Sequence, residues 1–312
     1  VMVGTRVTPF GERLAEAFRE RGQLCVGIDP HDYLLREWNL PLSAAGVREF
    51  GLRVVNAAAG AVGIVKPQVA FFELFGSAGY SALEDVFSAA RAAGLIVIAD
   101  AKRGDIGTSA EAYGRAWLQA GSPLEADAVT MTAYAGVGSL QPVFDLAETA
   151  GKGVFVLSAT SNPESFQLQT ARASGTDGDS SVAGLVANEV SAHNASARAQ
   201  VLAHGSADTS AEPTPDTAAL GNIGLVLGAT KNLSDYGIDT ARLALVPATP
   251  VLAPGFGFQG ALFSSVRSVF GHLTPGTVVA VSRSVLAAGP KQLEQSIRQQ
   301  SDELAEALVA SA

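Results

Sequence analysis

The chain has 312 residues, 47% of them hydrophobic and only 16% charged, which allows a sizeable buried core and argues against disorder as the dominant state. A formal net charge of −9 at pH 7 argues against nonspecific binding to nucleic acid or anionic membrane, while leaving room for a local basic site for a small anion. Cys25 is the only cysteine, so no intramolecular disulfide can form, which fits a reducing cytoplasm.

In chain order, the opening VMVGTRVTPFGERL has no apolar signal core, so export is not expected. Short apolar runs then recur: LCVGID (24–29), VGIVKP (62–67), LIVIAD (95–100), AVTMT (128–132), GVFVLS (153–158), GLVLGA (224–229), LALVPA (243–248) and TVVAVS (277–282). Each is continuous rather than alternating, as for parallel strands covered on both faces. Amphipathic stretches with helical spacing lie between them at 81–94, 109–121, 138–151 and 181–195, and 290–311 reads as a long final helix. Gly94, Gly121 and Gly151 follow helical patterns where a left-handed cap is favoured. No run approaches the ~18–20 apolar residues that span a bilayer.

Eight strand-like runs alternating with helices predict a single (β/α)8 barrel domain over 1–312, with a doubly wound open sheet as the competitor. Two stretches rich in Ser, Thr, Gly and Asp, 162–180 and 204–222, read as surface loops. The first follows a strand, on the face where barrel sites are built; the second follows a helix, which places it on the opposite face.

The densest chemistry is ADAKRGDIG at 99–107, where two acids and two bases fall within six positions after an oily run. Asp100 and Lys102, two apart on an extended segment, share a face, and Asp105 lies beyond a turn allowed by Gly104. A lysine between carboxylates is a poor nucleophile but a well-placed cation and proton donor. A surface ion-pair network is the plain alternative. Against it, Lys66, Asp29 and Arg283 end three further apolar runs, so charge gathers at the same end of four strands.

PGFGFQG (254–260) supplies glycines at 255, 257 and 260 that let backbone N–H groups approach an anion, and ALFSSVRSVF after it reads as a helix. GFGFQG matches the GxGxxG dinucleotide pattern but comes late, with no ribose-binding acid downstream. In a barrel, phosphate sites form from the loops after strands seven and eight, which joins Gln259 and Arg283 into a phosphomonoester clamp. His31, His193, His204 and His272 are scattered without metal-ligand spacing, so no metal is expected. Cys25 lies inside a strand run and reads as packing, Ser158 is not in a GxSxG elbow, and TDGDSS (176–181) lacks the later glutamate of a calcium loop.

On these motifs the chain resembles the orotidine 5′-phosphate decarboxylase family, in its longer-chain branch. LCVGIDPH, VKPQVAFFE, DAKRGDIG, ATSNP, APGFGFQG and VSRS occur in family order along nearly the whole chain, and the match is thinnest over 162–222. The resemblance implies a cytoplasmic, homodimeric (β/α)8 barrel that converts orotidine 5′-phosphate to UMP and CO2 without metal or organic cofactor. It implies a charged tetrad of Lys66, Asp100, Lys102 and Asp105, with Asp105 serving the neighbouring subunit's site. Asp29 and Lys66 would bind ribose hydroxyls, Ser161 or the adjacent Thr160 the pyrimidine, and Gln259 and Arg283 the phosphate. Ser109 would contact the partner's ligand, and Gln68 stands where relatives often carry another amide. Two alternatives remain: a sibling barrel using Mg2+ to stabilise an enediolate, for which Glu73 is the nearest spare carboxylate, and a nucleotide sensor without turnover.

Overall fold

Seven of the eight apolar runs become the staves of a closed parallel barrel in the computed structural model, which describes residues 7–175, 178–203 and 219–310. Strands are numbered in chain order: β1 Leu24–Ile28, β2 Ile64–Pro67, β3 Ile96–Arg103, β4 Ala128–Met131, β5 Gly153–Ala159, β6 Arg172–Gly175, β7 Gly178–Ser181, β8 Ile223–Leu227, β9 Val251–Ala253 and β10 Thr277–Val281. The barrel runs β1-β10-β9-β8-β5-β4-β3-β2, and β6 and β7 form a separate antiparallel hairpin.

Alternation along each strand divides the core into two layers. One set, including Cys25, Ile64, Ile96, Ile98, Phe155 and Leu252, fills the barrel interior. The other, including Leu24, Val65, Val97 and Val129, packs against the surrounding helices. The interior is sealed at its N-terminal end by the helix Phe10–Arg21, whose Phe10 and Leu14 are fully buried, Phe10 edge-on to Phe155 at 6.0 Å between centroids. Continuing the inward alternation upward from Cys25, Ile64, Ile98 and Ala128 reaches Asp29, Lys66, Asp100 and Thr130. The open end is therefore where polar groups collect.

The seventh strand departs from the sequence expectation. LALVPA is not a strand: Leu243 ends the helix Thr240–Leu243, capped by Asp239 through Ala241 N and Arg242 N, and Leu245 and Val246 are exposed. The stave is Val251–Ala253, three residues bracketed by Pro250 and Pro254 and too short to stand out as a run.

The 162–180 stretch is not simply a loop either. It carries the helix Ser165–Gln169 and the β6–β7 hairpin, with Phe166 edge-on to Tyr236. Nor does ALFSSVRSVF form one helix. Ala261 N bonds back to Gly255 O, and only the short turns Phe263–Ser265 and Val266–Phe270 follow before Gly271, at φ +50°, ends them.

Of 204–222, residues 204–218 lie outside the described residues, as does His204. Leu220 abuts Gly11 of the sealing helix, which puts the end of that stretch at the closed face. The remaining helices fall near their expected places, with Gly76–Ala92, Gly107–Leu118, Gln141–Ala150, Val182–Ala203 and Leu293–Ala310. Among the described residues no helix is long and apolar enough to cross a membrane.

Candidate active site

The open end of the barrel holds a cavity of about 920 Å³, lined by residues from the ends of all eight barrel strands, Thr132 to Tyr134 after β4 among them. Of the ten site residues expected from the sequence, it brings together eight: Asp29, Lys66, Asp100, Lys102, Thr160, Ser161, Gln259 and Arg283. Asp105 and Ser109 stand apart and exposed, on the loop after β3 and the first turn of the helix Gly107–Leu118. Asp105 Oδ1 accepts only the neighbouring Ile106 N–H, at 2.8 Å, among the bonds of the described residues.

Asp100 is the hub. Its Oδ2 accepts from Lys66 Nζ at 2.7 Å and its Oδ1 from Lys102 Nζ at 2.6 Å. The Gln68 amide joins them: with its nitrogen turned toward Asp100 it donates to Oδ2 at 2.5 Å, and its oxygen accepts from Lys102 Nζ at 3.3 Å. Burial alone would raise the Asp100 carboxyl's pKa, but Lys66 and Lys102 outweigh it and hold it well below the usual carboxylate range. For Lys66 burial alone would favour the neutral amine, but Asp100 and Asp29 reverse this and hold its ammonium above the ordinary lysine value. The pair is thus charged on both sides, with about 10% side-chain exposure each, while Lys102 is 45% exposed to the cavity.

Lys102 does not reach this position by plain strand alternation. Its φ is +48°, a left-handed conformation that only one other non-glycine described residue, Asn39, shares, and the β3–β4 register is irregular between Ala99 and Arg103. Such a backbone costs about 1 kcal/mol or more and persists only where its surroundings enforce it. Thr130, a polar residue in the AVTMT run that sequence reasoning passed over, donates to Asp100 Oδ1 at 2.9 Å and accepts from Lys102 N at 3.0 Å. The signal that singled out Lys66, a polar group in a buried run, was present there too.

Around this core the cavity has two recognition ends. Asp29 Oδ1 is buried without a hydrogen-bond partner among the described residues, an acceptor left open toward a ligand donor. After β5, Thr160 Oγ1 donates to Asn162 Oδ1 and accepts from Gln169 Nε2, at 2.8 and 2.9 Å. That commits the Thr160 hydroxyl within its own loop and leaves Ser161 as the available one. At the far end the Arg283 guanidinium lies 3.7 Å from the Phe258 ring centroid, with no carboxylate partner among the described residues. Gly257 (φ +67°) is required there, because a Cβ would come within 2.8 Å of Ser284. The loop's N–H groups are less available than the glycines suggest: those of Gly257, Gly260 and Ala261 bond within the loop itself.

Glu73, the spare carboxylate, lies outside the cavity lining and is paired with Arg103 and the Tyr80 hydroxyl. Among the described residues no three His, Cys, Asp or Glu side chains cluster as a metal set. Cys25 is fully buried, which pushes its thiol up to about 12, and Ser158 donates to Ala183 O. Both are packing groups.

Residues 22–295 match the model of the orotidine 5′-phosphate decarboxylase / HUMPS family. The chain is 46% identical over 282 residues to the orotidine 5′-phosphate decarboxylase of Corynebacterium efficiens, covering 90% of this chain and 91% of that one. It is 46% identical over 281 residues to that of Salinispora arenicola, with the same coverage. Among solved structures, the OMP decarboxylase of Leishmania donovani superposes with a TM-score of 0.71 at 28% identity, covering 96% of this chain and 99% of that one. A Streptomyces avermitilis protein provisionally assigned the same activity superposes with a TM-score of 0.83 at 41% identity over 99% of both chains. Barrel, charged cavity and relatives agree, and the chain belongs to the orotidine 5′-phosphate decarboxylase / HUMPS family.

Proposed function

We propose that the chain is a carboxy-lyase converting orotidine 5′-phosphate to UMP and CO2, the last step of pyrimidine nucleotide synthesis, without a cofactor. The observation that carries the reading is the Lys66–Asp100–Lys102 ion chain at the open barrel end, beside an unpartnered aspartate and an arginine with no acid partner among the described residues. Asp29 and Lys66 receive the ribose hydroxyls, Ser161 the pyrimidine edge, and Gln259 and Arg283 the phosphate. In the reaction the bond between C6 and the carboxylate breaks, CO2 leaves, and the electron pair stays on C6. The Lys102 ammonium stabilises that developing charge and donates its proton to C6, then regains one from solvent. Asp100, held ionised by two ammonium groups, keeps Lys102 charged and placed. Phosphate binding is remote from C6, so its energy serves orientation and closure.

We read the chain as one barrel domain in a cytoplasmic homodimer. Asp105 and Ser109 are exposed and outside their own cavity, which supports their serving the site of a second copy. The metal-using sibling reaction is disfavoured because Glu73 is paired with Arg103 outside the cavity.

The test is turnover of orotidine 5′-phosphate by the purified chain in chelator, followed by ultraviolet absorbance and CO2 release. Conversion to UMP is expected, and Lys102→Ala should abolish it while UMP still binds. Tight UMP binding by the wild type without conversion would instead identify a sensor.

A further inference from the structure

Two threonines of the AVTMT run, two positions apart and therefore on one face of the chain at β4, grip the Lys102 backbone on either side of its Cα. Thr130 Oγ1 accepts the Lys102 N–H at 3.0 Å, and Thr132 Oγ1 donates to the Lys102 carbonyl at 3.3 Å. The same segment is tied again where Thr132 N donates to Arg103 O at 2.7 Å, and a Cβ on Gly104 would come within 2.3 Å of Thr132 O. Lys102 is the one non-glycine residue of the described cavity lining held at a positive φ, and this is the point where β3 breaks register with β4.

We infer that Thr130 and Thr132 form a clamp that fixes the left-handed backbone of Lys102, with Thr130 as a positioning residue for the proton-donating ammonium. Thr130 uses its hydroxyl as both donor and acceptor. The proton goes to Asp100 Oδ1 at 2.9 Å while the oxygen takes the Lys102 N–H, so one buried group fixes both the carboxylate and the backbone of the lysine it pairs with. Thr130 is 1% exposed and is not part of the cavity lining, so it cannot contact the substrate. A residue of that kind acts on placement at the reacting carbon and leaves substrate affinity alone.

The inference rests on the decarboxylase reading for its kinetic half only. The experiment compares wild type, Thr130→Val, Thr130→Ser and Thr132→Val by steady-state turnover of orotidine 5′-phosphate, UMP affinity and amide hydrogen exchange at Lys102. Thr130→Val, equal in shape but without the hydroxyl, should lower kcat by about 100-fold with KM and UMP affinity within about threefold. Thr130→Ser should recover kcat to within about fivefold of wild type, since it restores both bonds. Exchange of the Lys102 amide should quicken about tenfold or more in Thr130→Val, while amides lower in β4 keep their protection.

A folded Thr130→Val with kcat near wild type overturns the proposal, as does Thr130→Ser impaired as badly as Val, which would mark a packing role. If Thr130→Val does not fold, Thr132→Val decides: because Thr132 also lines the cavity, kcat lowered about fivefold together with quicker exchange of the Lys102 amide supports the clamp, and unchanged exchange overturns it. A wild-type chain that fails to decarboxylate defeats the functional reading but not the clamp, which Lys102 amide exchange then tests alone.

Discussion

Asp100 binds an ammonium group on each of its carboxylate oxygens, one from a buried lysine and one from a lysine half open to the cavity. Its depressed pKa means that its ionised form favours folding above the ordinary aspartate value of about 4, and that this stability is lost as pH falls below it. Lys66 is raised, so its contribution is complete below about pH 10 and is lost only as pH climbs past its folded value. The charged cluster should therefore be intact across the neutral range. Asp100→Asn leaves Lys66 buried without its main partner and should cost about 3 kcal/mol near pH 7. In urea melts the gap between variant and wild type should narrow as pH falls from about 5 to about 2, because the unfolded wild-type carboxylate takes up a proton that the folded one, held ionised by both lysines, resists. A gap constant over that range would mean that the pair adds no net stability.

At the scale of elements, close backbone approaches fix where the recognition loops stand. The segment after β5 lies against the end of β8 because Gly228 has no side chain: a Cβ would lie 2.8 Å from Ser161 Cα and 2.9 Å from its nitrogen. Gly228 N also donates to Ala159 O at 2.7 Å, so neither strand end can move off easily. Gly228→Ala should push Ser161 away from the ring position and raise KM for orotidine 5′-phosphate about tenfold. Far-ultraviolet circular dichroism should stay as in wild type, since the clash is confined to two strand ends. An unchanged KM would remove Ser161 from the binding site. The helix Ser165–Gln169 contributes through the same loop, with Gln169 holding both the N–H and the hydroxyl of Thr160 at 2.9 Å.

On the scale of the whole molecule, the barrel is closed at one end by Phe10 and Leu14 and open at the other, so the charged cavity lies at the open face. Asp105 and Ser109 belong to that face but not to its cavity, and the homodimer reading gives them a place. Mixing Asp105→Ala with Lys102→Ala chains under conditions of subunit exchange tests it. Neither variant alone should turn over substrate well, and a random equal mixture should regain about a quarter of wild-type activity, because half the dimers hold one complete site. No recovery despite demonstrated exchange would confine each site to one chain.

The sequence by itself pointed to a parallel α/β fold, through continuous apolar runs of the kind that strands buried on both faces carry, and it marked the site through charges ending those runs; closure into a barrel was decided by the pairing of β1 with β10. It placed Lys66 and Asp100 together because two-residue alternation after Ile64 and Ile98 is a local rule. What it missed was decided by contacts distant in the chain. The stave Val251–Ala253 is too short to show a pattern and exists because β8 and β10 pair with it on either side. Thr160 and Ser161 are equivalent in the sequence, and only the Asn162 and Gln169 bonds tell them apart. The left-handed backbone of Lys102 is not one that lysine favours, and Thr130 and Thr132, from the segment beginning with β4 26 residues further on, bond it on both sides.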